Sequence, residues 1–310
     1  MEEQIDISQI ISNDFKELIQ KGEDKALIND DFTKAWSNLV MLPSYRIEYI
    51  IRTSLHTEKG YNKDEAVIYG FLMRIYKMLC FQRRLVCNRI MSSEIASFFE
   101  RMLLEDIINF EYYILNYKNS ILNSFRLNSL KPEVFFEESL KNDIIKNNGK
   151  ISPWQSGLLN SIHRTYKTAE TTFEEVKSNK TSLPNIRQKF CDTGNQRLYN
   201  IGYRTKCHNI HGDWVDFTQN YLNFDEKSGS FSPNFNEQNA DIRQLNPVLM
   251  ICYNALIKFI NDFPDHGISK DLGKEIEDDQ KIIFSLEEMH SNFLNNKDLL
   301  DGIDMSKFFF

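Results

Sequence analysis

The chain has 310 residues, of which 41% are hydrophobic, 26% charged and 13% aromatic, which excludes disordered, collagen-like and membrane-spanning classes. Its net charge of −7 lies in residues 261–310, which hold 12 acidic and 5 basic side chains; the first 260 residues are neutral and lack the broad basic field of a duplex-DNA binder. Only 12 Gly and 7 Pro interrupt the chain, so long helices are expected and a loop-rich all-β fold is not.

Residues 1–45 read as two short helices. Ile5, Ile10, Ile11, Phe15 and Leu18 form one stripe, Asn29-Asp30-Asp31 caps a helix over Phe32–Val40, and Pro43 closes the segment. From Asp64 the apolar residues Val67, Phe71, Ile75, Met78, Leu79 and Leu85 recur at three- and four-residue steps. A second long helix runs from Ser92 to about Asn119, with Ile95, Phe98, Phe99, Met102, Leu103, Ile107, Phe110 and Ile114 on more than one face. Such a helix belongs at the centre of a bundle.

Residues 119–152, rich in Asn, Lys and Ser, read as a looser helical connection, and Trp154–Ser178 as one further helix. Pro184 is placed in the first turn of the next. Residues 224–246 are a polar excursion, a hairpin or an exposed loop, and Pro247–Phe263 is an apolar helix. The expected architecture is all-α: a multi-helix bundle over 61–263, an N-terminal helical extension over 1–60 and an acidic helical tail over 264–310 that ends in Phe308-Phe309-Phe310.

Five scattered cysteines (Cys80, Cys87, Cys191, Cys207, Cys252) never form C-x-x-C, which argues against a disulfide framework or a four-cysteine zinc site. The acidic start has no apolar secretory core, and no apolar run approaches the ~18 residues of a spanning helix, so a cytoplasmic protein without a membrane partner is expected. No phosphate-binding, dinucleotide, hydrolase-elbow or H-E-x-x-H motif is present, and no cofactor or metal is expected. Glu287-x-x-His290 is one copy of a motif that a di-iron bundle needs twice.

One constellation stands out, Tyr203-Arg204-Thr205-Lys206-Cys207-His208-Asn209-Ile210-His211-Gly212. At about 100° per residue, Arg204, His208 and His211 fall within about 60° of one another on a helix. Such a cationic stripe suits an anion, because Arg clamps phosphate and His moves a proton near neutral pH. Ribonucleases that use no metal need both abilities, so Arg204, His211 and His208 are candidate catalytic residues and RNA a candidate partner. The structural reading has Arg204 paired with a buried carboxylate, Glu105 being the candidate, while the His residues finish a helix whose C′ position is Gly212. Metal binding by His208 and His211 is a third reading, which the neighbouring Arg204 disfavours.

Two segments together resemble a bacterial helical family, the domain of unknown function five-six-seven-seven. They are the Arg-x-x-x-Glu helix Arg101-Met102-Leu103-Leu104-Glu105-Asp106-Ile107-Ile108-Asn109, and Tyr203-Arg204 with His211-Gly212. The likeness covers about residues 64–225; Cys207 stands where the family has Ser, and His208 adds an imidazole. Arg101, Glu105, Tyr203 and Gly212 are therefore the expected supporting residues. The Arg204-to-His211 spacing also resembles the HEPN ribonucleases, which implies a metal-independent RNase of toxin or phage-defence type whose pairs meet across a homodimer. The alternative of a different class is a non-catalytic helical module that binds a protein partner.

Overall fold

The structure is a computed structural model that describes residues 7–88, 92–117, 120–208, 213–236, 240 and 242–303. Helices α1 (Ile7–Glu23), α2 (Asn29–Leu39), α3 (Met41–Thr53) and α4 (Leu55–Lys59) lead into two long helices, α5 (Lys63–Cys87) and α6 (Ser93–Leu115). Asn62 caps α5 by accepting from the Asp64 and Glu65 amides, and Ser92 caps α6 by accepting from Ile95 N. Pro43 does not close a segment: it sits in the first turn of α3, where a missing N–H costs nothing.

Helix α6 is central, packing against α5 and against α12 (Ile242–Asp262), which in turn meets α13 (Asp271–Leu294). One buried cluster runs from Ile11 and Phe15 in α1 through Leu103, Leu104, Ile107 and Ile108 in α6 to Ile283 and Met289 in α13. The extension and the acidic tail thus contribute to the same core as the long helices. Pro247 lies inside α12, which begins five residues before it.

Residues 119–152 are more regular than a loose connection, forming α7 (Ile121–Ser129) and α8 (Lys131–Lys146). The helix expected over 154–178 is two, α9 (Pro153–Thr168) and α10 (Phe173–Ser178). The break comes at Glu170, whose φ of 49° no right-handed helix adopts, and Thr172 then caps α10 through Glu175 N. Helices α8 to α10, with Leu127 of α7 at the edge, share a satellite core of Leu130, Val134, Leu140, Ile162, Tyr166 and Val176, while Leu122 of α7 packs in the main core. Pro184 precedes α11 (Ile186–Asp192) and Asn185 is its cap.

A helical turn, Gln196–Leu198, continues as a π-helix over Tyr199–Tyr203, and a second π-helix spans Phe217–Tyr221. The polar excursion is a hairpin of β1 (Leu222–Asp225) and β2 (Ser230–Pro233), antiparallel with Phe224 opposite Phe231. It is the one sheet among the described residues, which bears out the all-α class. No described helix is long and apolar enough to cross a membrane. His211, Gly212 and Phe308 to Phe310 lie outside the described residues.

Candidate functional site on the π-helical turn

The central helix carries three buried carboxylates, and each meets a cation from a different element. Glu100, with no exposed surface, contacts Lys206; Asp106 accepts from Arg74 Nε at 2.6 Å on α5; Glu111 accepts from Lys258 Nζ at 2.7 Å on α12 and from Asn195 Nδ2 at 3.0 Å. A carboxylate taken out of water inside an apolar helix requires such partners. Burial drives the Asp106 and Glu111 carboxyls above the usual range, and the facing cations oppose that rise. Burial also pushes the Lys206 ammonium down to about 8.

Beside these pairs, Arg101 Nη2 donates to the Tyr203 hydroxyl at 3.1 Å, and that hydroxyl donates to Glu105 Oε2 at 3.0 Å. The Arg101 guanidinium also lies 4.9 Å from the Tyr203 ring centre. Burial raises the Tyr203 phenol above its ordinary range, against the Arg101 bond. Of the four residues expected to support the site, Arg101, Glu105 and Tyr203 lie together, and the partner of Glu105 is Tyr203 and not Arg204. The structural reading of Arg204 as a buried pair with Glu105 is thereby overturned. Arg204 is exposed, and its guanidinium makes no hydrogen bond or ion pair among the described residues.

A π-helix gives each turn an extra residue, so a 100° step per residue does not carry through this segment. Arg204 N bonds Tyr199 O at 3.0 Å, an i to i−5 contact, and Cys207 N then bonds Arg204 O at 3.0 Å. Tyr199 and Tyr203 stack at 5.6 Å against Phe190 of α11. Gly202 lies within the wide turn, where a Cβ would come 2.9 Å from Leu198 Cδ1, the movable end of a side chain. Below it Lys189, also buried and pushed down to about 8 by that burial, donates to Asn109 Oδ1 at 2.7 Å and to the Tyr113 hydroxyl at 3.0 Å.

His208 does not stand as a bare cation. Its Nδ1 donates to Asp213 Oδ2 at 2.5 Å, and the other oxygen of Asp213 accepts the Val215 and Asp216 amides at 3.0 and 3.2 Å. The His208 bond comes first among the causes that hold the Asp213 carboxyl below the usual range, so it is ionised at neutral pH. Both side chains reach solvent, at 41% and 43% exposure. In a neutral ring, an Nδ1–H held by a carboxylate puts the lone pair on Nε2. Asp213 was not singled out in the sequence; its signal was its place as an N-cap, five residues after a histidine. Lys189, Lys206, Glu100 and Glu111 were missed too, although acidic residues inside a helix this apolar call for cations. Among the described residues, no three His, Cys, Asp or Glu side chains gather in a metal-binding arrangement.

Fold and site together define an all-α bundle protein whose π-helical turn, braced on the central helix, presents an exposed arginine and a carboxylate-oriented histidine. The chain belongs to the family of unknown function DUF5677, which matches it over residues 65–230. No curated protein and no solved structure gives a significant match.

Proposed function

We propose that the protein cleaves RNA without a metal, with His208 as general base, Asp213 as the residue that orients it and Arg204 as the phosphate clamp. The observation that carries this is the solvent-reaching His208–Asp213 pair, four residues after an exposed Arg204 whose guanidinium has no partner among the described residues. His208 Nε2 takes the proton of a ribose 2′-hydroxyl, the 2′-oxygen attacks phosphorus, and the bond to the 5′-oxygen breaks. The 5′-oxygen takes a proton, and the products are a 2′,3′-cyclic phosphate and a 5′-hydroxyl. Arg204 offers a fixed cation to the charge that grows on the phosphoryl oxygens. His211, three residues further along the sequence, is the candidate for the acid that protonates the leaving oxygen.

The test is cleavage of single-stranded RNAs in EDTA, reading the chemistry of the product ends. His208→Ala, Asp213→Asn, Arg204→Ala and His211→Ala are compared at unchanged melting temperature. A general base is worth about 10²- to 10⁴-fold, so His208→Ala should lose at least that much. Full activity in His208→Ala, or no cyclic-phosphate product from the folded wild type, refutes the proposal.

One observation favours a second reading, a module that binds a protein partner or a second copy of this chain. Trp214, Phe224, Phe231 and Phe235 are 60%, 55%, 44% and 90% exposed on and around the hairpin. An exposed aromatic group of that kind marks interaction surfaces. Capture of a partner that is lost in Phe224→Ser with Phe231→Ser, with no cleavage of RNA, would decide for it.

A further inference from the structure

A groove of about 370 Å³ lies between α5, α7 and the C-terminal end of α9. Its floor is apolar, with Val67, Gly70 and Phe71 from α5 and Phe125 from α7; the Phe71 and Phe125 ring centres are 5.7 Å apart. A Cβ on Gly70 would meet nothing within 4 Å, so the slot over this residue is open.

The walls carry charge of one sign. Lys63, Arg74 and Arg126 line the groove and no carboxylate does. Their ion-pair partners, Glu170, Asp106 and Asp64, lie outside the lining, and the Lys63–Glu170 pair is solvated, at 42% and 70% exposure. Solvated pairs of this kind hold their members weakly and exchange readily for another anion. Arg126 also has a buried Nε–H with no acceptor among the described residues, while its Nη1 and Nη2 serve Asp64 and Asn123. A guanidinium with a spare donor beside an apolar slot matches a carboxylate with an apolar body. The volume lies within the range of small-molecule pockets, about 300 to 1,000 Å³.

We propose that this groove binds one monomeric amphiphilic carboxylate, its alkyl or aryl body on the Val67–Gly70–Phe71–Phe125 floor and its head group at Arg126 and Lys63. The ligand is free in solution, and no bilayer is involved. The floor residues Val67, Phe71 and Phe125 all pack on the main core, and Thr168 at the end of α9 forms the edge of the groove.

The experiment is calorimetric titration of the full chain with laurate below its micelle concentration, beside uncharged dodecanol. Saturable one-to-one binding of laurate is expected, with dodecanol at least tenfold weaker. Gly70→Trp fills the open slot from an exposed helix position and should weaken laurate at least tenfold at unchanged melting temperature; Arg126→Gln should weaken laurate and leave dodecanol unchanged. Absence of saturable laurate binding, full laurate affinity in a folded Gly70→Trp, or binding only to anionic phospholipid vesicles would each overturn the proposal.

Discussion

Replacing Lys206 by Met isolates the contact that anchors the π-helical turn to the central helix. Glu100 has no exposed surface, and neither of its carboxylate oxygens has a hydrogen-bond partner among the described residues beyond its contact with the Lys206 ammonium. Lys206→Met therefore strands a buried charge, a loss of about 3 to 5 kcal/mol. Glu100→Leu should cost less, about 1 to 2 kcal/mol, because Lys206 is 18% exposed and its stem can carry the ammonium to water. The double variant Glu100→Leu with Lys206→Met replaces both charges by apolar groups and should stand within about 1 kcal/mol of wild type. Urea unfolding of the four proteins at pH 7, followed by far-ultraviolet circular dichroism, completes the cycle. A loss under about 1 kcal/mol for Lys206→Met, or a double variant as unstable as that single one, would show that Glu100 is solvated or otherwise paired, and the anchoring argument would fail.

Tyr203→Phe removes the hydroxyl that links Arg101 to Glu105. Two bonds to charged groups are lost, but both partners are only partly buried and stand one turn apart on α6, so about 1 to 2 kcal/mol is expected in the same unfolding assay. His266 is fixed as the neutral ring, its Nε2 donating to Ile260 O at 3.1 Å and its Nδ1 accepting the Ile268 amide at 2.9 Å. Burial lowers its pKa below 6.5, so the unfolded chain takes up a proton first: stability is intact above pH 6.5 and falls as pH drops below it. His266→Gln should flatten that slope between pH 7 and the folded-state pKa, and an unchanged slope would assign it to other groups. Deleting Ile201, which is 61% exposed, should turn the π-turn into ordinary α-helix and rotate Tyr203 away from Glu105, losing the about 1 to 2 kcal/mol of that bridge and the activity together. If the deletion leaves RNA cleavage and the Tyr203 fluorescence environment unchanged, the π-turn does not position the site.

Much of the architecture was legible because helices announce themselves by period and cap. Asn62 and Ser92 begin α5 and α6 where the pattern begins, and the two-faced apolar content of α6 marks it as central. The failures have local causes. Pro43 punctuates a sequence equally well as a stop or as a first-turn residue, and only the packing of α3 decides. The α9–α10 break depends on a left-handed Glu170, which side-chain type does not signal. In the site, the meeting of Tyr203 with Arg101 and Glu105 was not legible, and Glu105, the candidate partner for Arg204, is held by Tyr203 instead. A one-residue π expansion moves Tyr203 inward and Arg204 outward, and the sequence carries only Gly202 as a sign of it.

The distribution of charge on α6 explains why the exposed residues can be held in place by a short and irregular segment. A π-turn is a poor helix on its own, with weaker packing down its axis than an α-helix. Here two neighbouring positions tie it down from inside: Tyr203 bridges Arg101 and Glu105, and Lys206 reaches Glu100 one turn earlier on the same helix. These anchors bracket Arg204 and immediately precede His208, so the backbone under both outward side chains is fixed by inward ones. Asp213 then orients the His208 ring, and the Val215 and Asp216 amides that donate to its other oxygen fix the carboxylate. A site built this way separates its tasks by residue. Loss of an inward anchor should cost stability and activity together, whereas loss of Arg204 or His208, which brace nothing in the core, should cost activity alone.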